Sequence, residues 1–335
     1  MNMRKIAKLA GVSVTTVSRA INKPELVNEE TLRRIRQIMD KHNYHVNPFA
    51  RNLINKKTKN IVMMIPNASN PFHLQVAEGA EEVLAAAGYI LTIYNIRKNI
   101  DRQSTLLEYV RTKKNSFFMD GLILVGSGSL QEGYQKALKN IMQTPIVAID
   151  PGPVEKGIDT VYTDEEAGIL LAMKYLSKKG HSSIGLVAGE QKYKLTQSIL
   201  KEIKRFSKLL NIKIEEENIV YGSYASLESG YSVSKKIIYS SKPPSAIVAF
   251  NGILAIGTMR YLLENKYRVP EDFAVISCGD IPFNGFYYPG ITSVQSPAID
   301  LGKKAAELLL KKIKNPELQN QNILLPPSLV VRESC

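Results

Sequence analysis

The chain has 335 residues, 44% of them hydrophobic and 22% charged, with a formal net charge of +13. That length is too great for one average domain and points to two or three units with packed cores, which excludes a wholly disordered chain. No run approaches the roughly 18 uncharged apolar residues of a spanning helix, and the N-terminal MNMRKIAKLAG lacks the apolar stretch of a signal peptide. Two cysteines, Cys278 and Cys335, exclude a disulfide framework, so a protein of the reducing cytoplasm is expected.

The charge is concentrated at one end. Residues 1–59 hold 13 basic and 4 acidic side chains, a net +9, whereas residues 60–335 hold 31 and 27, a net +4. Such a segment suits nucleic acid or an anionic membrane surface, and the residue pattern decides between them. Ile6, Ala7 and Ala10 recur at helical spacing, Gly11 interrupts with a turn that favours positive φ, and Ser13 caps a second helix with Val14, Val17, Ala20 and Ile21 inward. Thr15, Thr16 and Arg19 fall on the opposite face. Asn28 caps a third helix with Glu29 and Glu30 in its first turn and Leu32, Ile35, Ile38 and Met39 inward. The spacing thus predicts an all-α helix-turn-helix headpiece over 1–46. His42 and His45 form an HxxH pair with no third ligand in sequence, so no metal is expected.

Residues 47–59 read as a hinge helix and linker. Asn47 can cap, Pro48 suits the first helical position, and FARNLI allows one or two turns before the basic KKTKN. A helix this short is marginal in water and should form only when DNA or a dimer mate packs on it. From 60 onward, IVMMI, YILTIY, GLILVG and PIVAI alternate with helices expected near 74–87, 102–114 and 131–142. After Asp164 the alternation continues with a helix to Lys179, IGLVA, a helix over 197–210, a strand near Val220, a helix over 228–239, AIVAF, a helix over 252–265 and FAVIS. A strand at 292–295, a helix over 298–313 and a closing LVVRE follow. Strand–helix alternation of this kind predicts an α/β core of two doubly wound parallel-sheet subdomains over 60–335.

The run IAKLAGVSVTTVSRAIN at 6–22, with VNEETLRRIRQIMDKHNYHVNPFARNLI at 27–54, resembles the LacI/GalR family of bacterial repressors. The resemblance implies a sequence-specific transcriptional regulator, a homodimer on a pseudo-palindromic double-stranded operator, acting on carbohydrate-related genes and needing no cofactor. It places Arg19 on a guanine or phosphate, Thr15 on a base, and Ser13 and Thr16 partly on the backbone. Leu53 would wedge into the minor groove beside its symmetry mate, with Asn47, Ala50 and Arg51 in family register. The core would be periplasmic-binding-protein-like, with chain crossings near 160, 290 and 320. One subdomain would then comprise 60–160 and 291–320, and the other 161–290 and 321–335. A dimer rather than a tetramer is expected, because no leucine-heptad helix follows LVVRE.

By the same resemblance an effector lies in the cleft between subdomains, met by Asn70, Phe72 and His73 of NASNPFH, and by Asp150, Tyr224, Asn251 and Asp280. The chain departs from the family in three places. Glu202 stands where an arginine usually grips the ligand, an Asn-Asp pair becomes Asn251 and Gly252, and a Gly-Phe-Asp-Asp stretch becomes Ser277, Cys278, Gly279 and Asp280. Either Lys192 and Lys194 swing in to pair with an anionic effector such as a sugar acid or sugar phosphate, with Glu202 directed to a hydroxyl or to solvent, or the cleft has lost its small-molecule site. A core that answers to a protein corepressor and an α/β enzyme are the competing readings. No G-x-x-x-x-G-K-[ST] loop, G-x-S-x-G elbow or strand-borne G-x-G-x-x-G supports the enzyme, and no catalytic residue is expected.

Overall fold

The computed structural model describes residues 2–42, 44, 58–95, 119–126, 144–150, 158–224 and 226–335, which form two units, 1–58 and 59–335. The expected hinge helix at 47–54 and the helices expected at 102–114 and 131–142 lie outside the described residues.

In the first unit α1 (Met3–Ala10), α2 (Val14–Asn22) and α3 (Glu29–Lys41) close on Ile6, Val17 and Ile35, all fully buried. The turn after α1 depends on Gly11 at φ 65°, a backbone conformation that costs other residues a clash at Cβ. Ser13 caps α2 by accepting from Thr16 N–H at 3.0 Å, and Asn28 caps α3 through Glu30 N–H. One inward assignment is corrected. Val14 is 42% exposed, because it starts α2 before the helix reaches the core, and half-buried Val12 packs in its stead.

The second unit contains two six-stranded sheets. β1 (Asn60–Ile65), β2 (Ile90–Asn95), β3 (Gly121–Val125), β4 (Ile146–Ile149), β5 (Asp159–Thr163) and β11 (Asn322–Leu325) form the first, all parallel, in the order β11-β5-β4-β3-β1-β2. The second contains β6 (Ile184–Ala188), β7 (Ile219–Tyr221), β8 (Ala246–Ala249), β9 (Ala274–Ser277), β10 (Thr292–Gln295) and β12 (Ser328–Val330), in the order β12-β10-β9-β8-β6-β7, with only β12 antiparallel. Among the described helices, α4 (Pro71–Ala86) and α10 (Ala298–Lys314) pack on the first sheet. On the second lie α5 (Glu165–Lys178), α6 (Lys194–Leu209), α7 (Leu227–Ile238), α8 (Gly252–Glu264) and the single turn α9 (Pro282–Phe286). Nearly continuous burial of β1, β3, β4, β6, β8 and β9 explains their unbroken apolar runs.

The expected subdomain boundaries require correction. The strand at 292–295 belongs to the second sheet, not the first, and 322–325 belongs to the first, pairing with β5 over Asn322–Leu325. The chain therefore crosses at 163–165, 295–298 and 325–328 rather than near 160, 290 and 320. A strand's own residues show its existence but not its neighbour. β5 and β11, short and partly polar, gave no apolar run to read.

Two contacts hold the first lobe around these crossings. α4 and α10 touch backbone to backbone, since a Cβ on Gly79 would fall 2.0 Å from Ile299 O and one on Gly302 the same distance from Val76 O. Below them, the buried Lys312 ammonium lies 3.2 Å from the Asp159 carboxylate and donates to Asn320 Oδ1 and the Leu318 carbonyl, tying α10, β5 and the approach to β11 together. Gly302→Ala should lower unfolding free energy by about 1–3 kcal/mol, since neither backbone can yield locally. A urea midpoint unchanged from the parent protein would show that the helices separate freely.

Candidate functional site

The headpiece presents α2 outward. Thr15 and Arg19, one turn apart, are exposed. Thr16 is half-buried, and its hydroxyl lies 2.8 Å from Ser13 Oγ, which also accepts the Thr16 amide. Ser13 and Thr16 are therefore engaged with each other at the cap, and Thr15 and Arg19 are the unencumbered pair. Exposed Val14 joins them, an apolar group of the size that meets a thymine methyl. Its hydrophobicity and helix phase sent it to the core in the sequence reading, and its place at the very start of α2, short of the core, leaves it exposed. Asn47, Ala50, Arg51 and Leu53 lie outside the described residues.

In the second unit, a cleft of about 440 Å³ opens where the carboxyl ends of both sheets meet. Each strand that reaches it contributes the residue or loop just beyond its end, as open α/β sheets do at their binding edge. Eight of the ten expected effector residues line it: Asn70, Phe72, His73, Asp150, Lys192, Tyr224, Asn251 and Asp280. Several are already bonded within the protein. Asn70 caps α4 through Phe72 N–H at 3.1 Å, and His73 Nδ1 meets the Asn67 carbonyl at 2.7 Å. Asn251 caps α8 through Leu254 N–H and donates to the Tyr224 carbonyl at 2.9 Å. Tyr224 accepts from Thr196 at 3.1 Å and packs against the backbone at Gly189, where a Cβ would collide with its ring.

Lys194 and Glu202 are not in the cleft. Lys194 is exposed at the start of α6, and Glu202 pairs at 2.7 Å with Arg205, which also reaches Glu166. Glu202 stands eight residues into α6, roughly 12 Å beyond the turn that faces the cleft, so counting back from Phe206 chose the wrong turn. The two-lysine clamp therefore lacks one lysine. Asp280 does line the cleft, but Arg332 grips its two oxygens at 2.8 and 2.9 Å.

Sequence reading missed Glu165, Glu190, Tyr193 and Phe250, all of which line the cleft. Glu165 is the first residue of α5, just after the unread strand β5. Burial pushes the Asp150 carboxyl up to about 6, against the lowering effect of Thr163 N–H. Burial, with the Asp150 charge second, pushes Glu165 up to about 7, and burial raises the Cys278 thiol to about 12. Glu165 is exposed to solvent, yet it faces a cleft whose walls place much protein around its carboxyl.

A capped, outward-facing helix on a basic three-helix unit, joined to two lobes that share a cleft, defines a DNA-binding regulator with a binding core. The comparisons agree. Residues 2–47 match the model for bacterial regulatory proteins of the lacI family, and residues 173–335 match the periplasmic binding protein-like domain. The transcriptional repressor PurR of Vibrio vulnificus is 31% identical over 332 residues, covering 99% of this chain and 98% of that protein. PurR of Pasteurella multocida is 31% identical over 336 residues, with the same coverage. Among solved structures, the Lac repressor dimer bound to operator and the anti-inducer ONPF superposes with a TM-score of 0.87 at 22% identity, covering 100% of this chain and 98% of that one. A transcriptional regulator CelR–cellobiose complex gives 0.72 at 23% identity with full coverage of both chains. The chain belongs to the lacI family and is a DNA-binding transcriptional regulator of the repressor kind.

Removing the guanidinium from the Asp280 pair should be costly, since it leaves a carboxylate at the edge of the cleft without its counterion. Arg332→Leu is expected to lower stability by about 3 kcal/mol. Adding Asp280→Asn should recover part of that loss in urea titrations, and additive losses would mean that the pair is not coupled.

Proposed function

We propose that this protein is a cytoplasmic homodimeric repressor that reads a pseudo-palindromic operator through α2 and the 47–54 segment. A small molecule in the core cleft sets its operator affinity, and the protein carries out no catalytic step. The observation that carries this reading is the exposed pair Thr15 and Arg19 on a helix whose start is fixed by Ser13. A guanidinium there can hold a guanine edge while the +9 charge of residues 1–59 holds phosphates. Leu53, with Asn47, Ala50 and Arg51, would open the minor groove at the operator centre. A dimer is supported by α9 and the residue pair after it, where Phe286 is 92% and Tyr288 87% exposed, an apolar surface that a second copy would cover.

The cleft suits an effector because its lining spans the crossings. Asp150 accepts from Thr163 N–H, Glu165 follows the first crossing, and Ser296 lies in the second. A molecule bonded to both lobes there would favour one lobe angle over another, and so one spacing of headpieces in the dimer.

Selection of binding sites from random duplexes, followed by titration, tests the reading head. Arg19→Ala should weaken binding to the selected operator about 5- to 150-fold, equivalent to about 1–3 kcal/mol, with a smaller loss on random DNA. Equal losses on both would confine Arg19 to the backbone. Phe286→Lys should shift sedimentation from dimer towards monomer, and an unaltered dimer would place the interface elsewhere.

A further inference from the structure

The carboxyl groups in the cleft are short of partners. Asp150 Oδ1 accepts from Thr163 N–H at 2.8 Å, and its other oxygen has no partner among the described residues. Glu165 makes no hydrogen bond or ion pair among them. Among the described residues Glu190 has only a long bond from Tyr224 N–H, at 3.3 Å. Asp280 is already neutralised by Arg332. On the cationic side the lining offers Lys192, which is exposed, forms no ion pair among the described residues, and lies 5.3 Å from the Tyr193 ring centroid. His73 is committed to the Asn67 carbonyl, and burial raises the pKa of the Tyr224 hydroxyl and the Cys278 thiol, which keeps both neutral near pH 7.

Phe72 and Tyr224 add aromatic surface to these carboxyls, and a cavity of about 440 Å³ has room for a compact molecule. Taking the cleft as the effector site, we propose that it receives an organic cation, whose protonated amine faces Asp150 and Glu165 while its body lies against Phe72 and Tyr224. A cation supplies the counter-charge these carboxylates lack, and aromatic faces attract it as well. Among the described residues an anion would meet three carboxyl groups with one rim ammonium in its favour. A neutral polyol could exchange hydrogen bonds with them but would cancel no charge.

The pH dependence follows from the same groups. The folded protein holds protons on Asp150 and Glu165 above the pH at which an unfolded chain releases them. The stability they contribute is complete below about pH 4 and is lost as pH rises through about 6 to 7. A bound ammonium expels those protons, so its affinity should rise over the same interval.

The test uses the full chain and two matched probe sets: glucosamine, glucose and gluconate; then putrescine, butane-1,4-diol and succinate. Calorimetry at pH 5.5 and 7.5 should find an amine as the tightest binder of its set, at least tenfold tighter at the higher pH, with proton release. Glu165→Gln should weaken that binding at least tenfold. Without any probe, Glu165→Gln and Asp150→Asn should each raise the melting temperature at pH 8, by relieving uncompensated charge. Tighter binding of a neutral or anionic probe overturns the proposal. So does a melting temperature at pH 8 that is unchanged or lower in both variants, which would mean that the carboxylates already have a counterion. Amine binding that leaves operator affinity unaltered would keep the cation assignment and remove the effector reading.

Discussion

Parallel strands all end at the same edge of their sheet, and that edge cannot be covered by the helices that connect them. Helices return along the faces, so the carboxyl ends are left to loops, helix starts and whatever lies opposite. In this core two such edges lie opposite each other, and the chain passes between them at 163–165, 295–298 and 325–328. The cleft is therefore a consequence of topology before it is a consequence of any particular side chain. Its lining comes from many short segments because each strand contributes only the residue or two beyond its end.

The groups at that edge have two tasks that compete. Asn70, Asp164 and Asn251 each satisfy amides at the start of a helix, which fixes the loop but uses the side chain. Asp280 is likewise occupied by Arg332, which also donates to the Ile291 carbonyl and so fixes the final segment beside β10. What remains only partly used among the described residues is the acidic set at Asp150, Glu165 and Glu190, which accept two backbone amides between them. Glu165 gains from the positive end of α5, but burial and Asp150 oppose its ionisation and prevail.

The headpiece obeys a different economy. Six buried residues hold three helices, so the caps at Asn2, Ser13 and Asn28 carry a large share of its definition. The cap at Ser13 has a functional consequence, since it sets where α2 begins and hence which side chains face outward. A shift of one residue would rotate the helix by about 100° and turn Arg19 off the outer face.

Much of this was legible in the chain itself. Helical spacing around Ile6, Val17 and Ile35, the turn at Gly11 and the unbroken apolar runs from Ile61 to Ser277 specify a three-helix unit and parallel sheets, because period and burial are local properties of sequence. Family motifs also brought Asn70, Phe72, Asp150, Tyr224 and Asn251 to one cleft. The sequence could not show that β10 joins the second sheet and β11 the first, since pairing is decided by where strands meet in space. Nor could it show that Glu202 turns to Arg205 while Glu165 turns to the cleft. Charge environment depends on distances between segments far apart in the chain. Only the folded arrangement decides that the cleft is acidic, because only there do the carboxyls beyond β4, β5 and β6 stand together with Lys192 as the one unpaired cation lining it among the described residues.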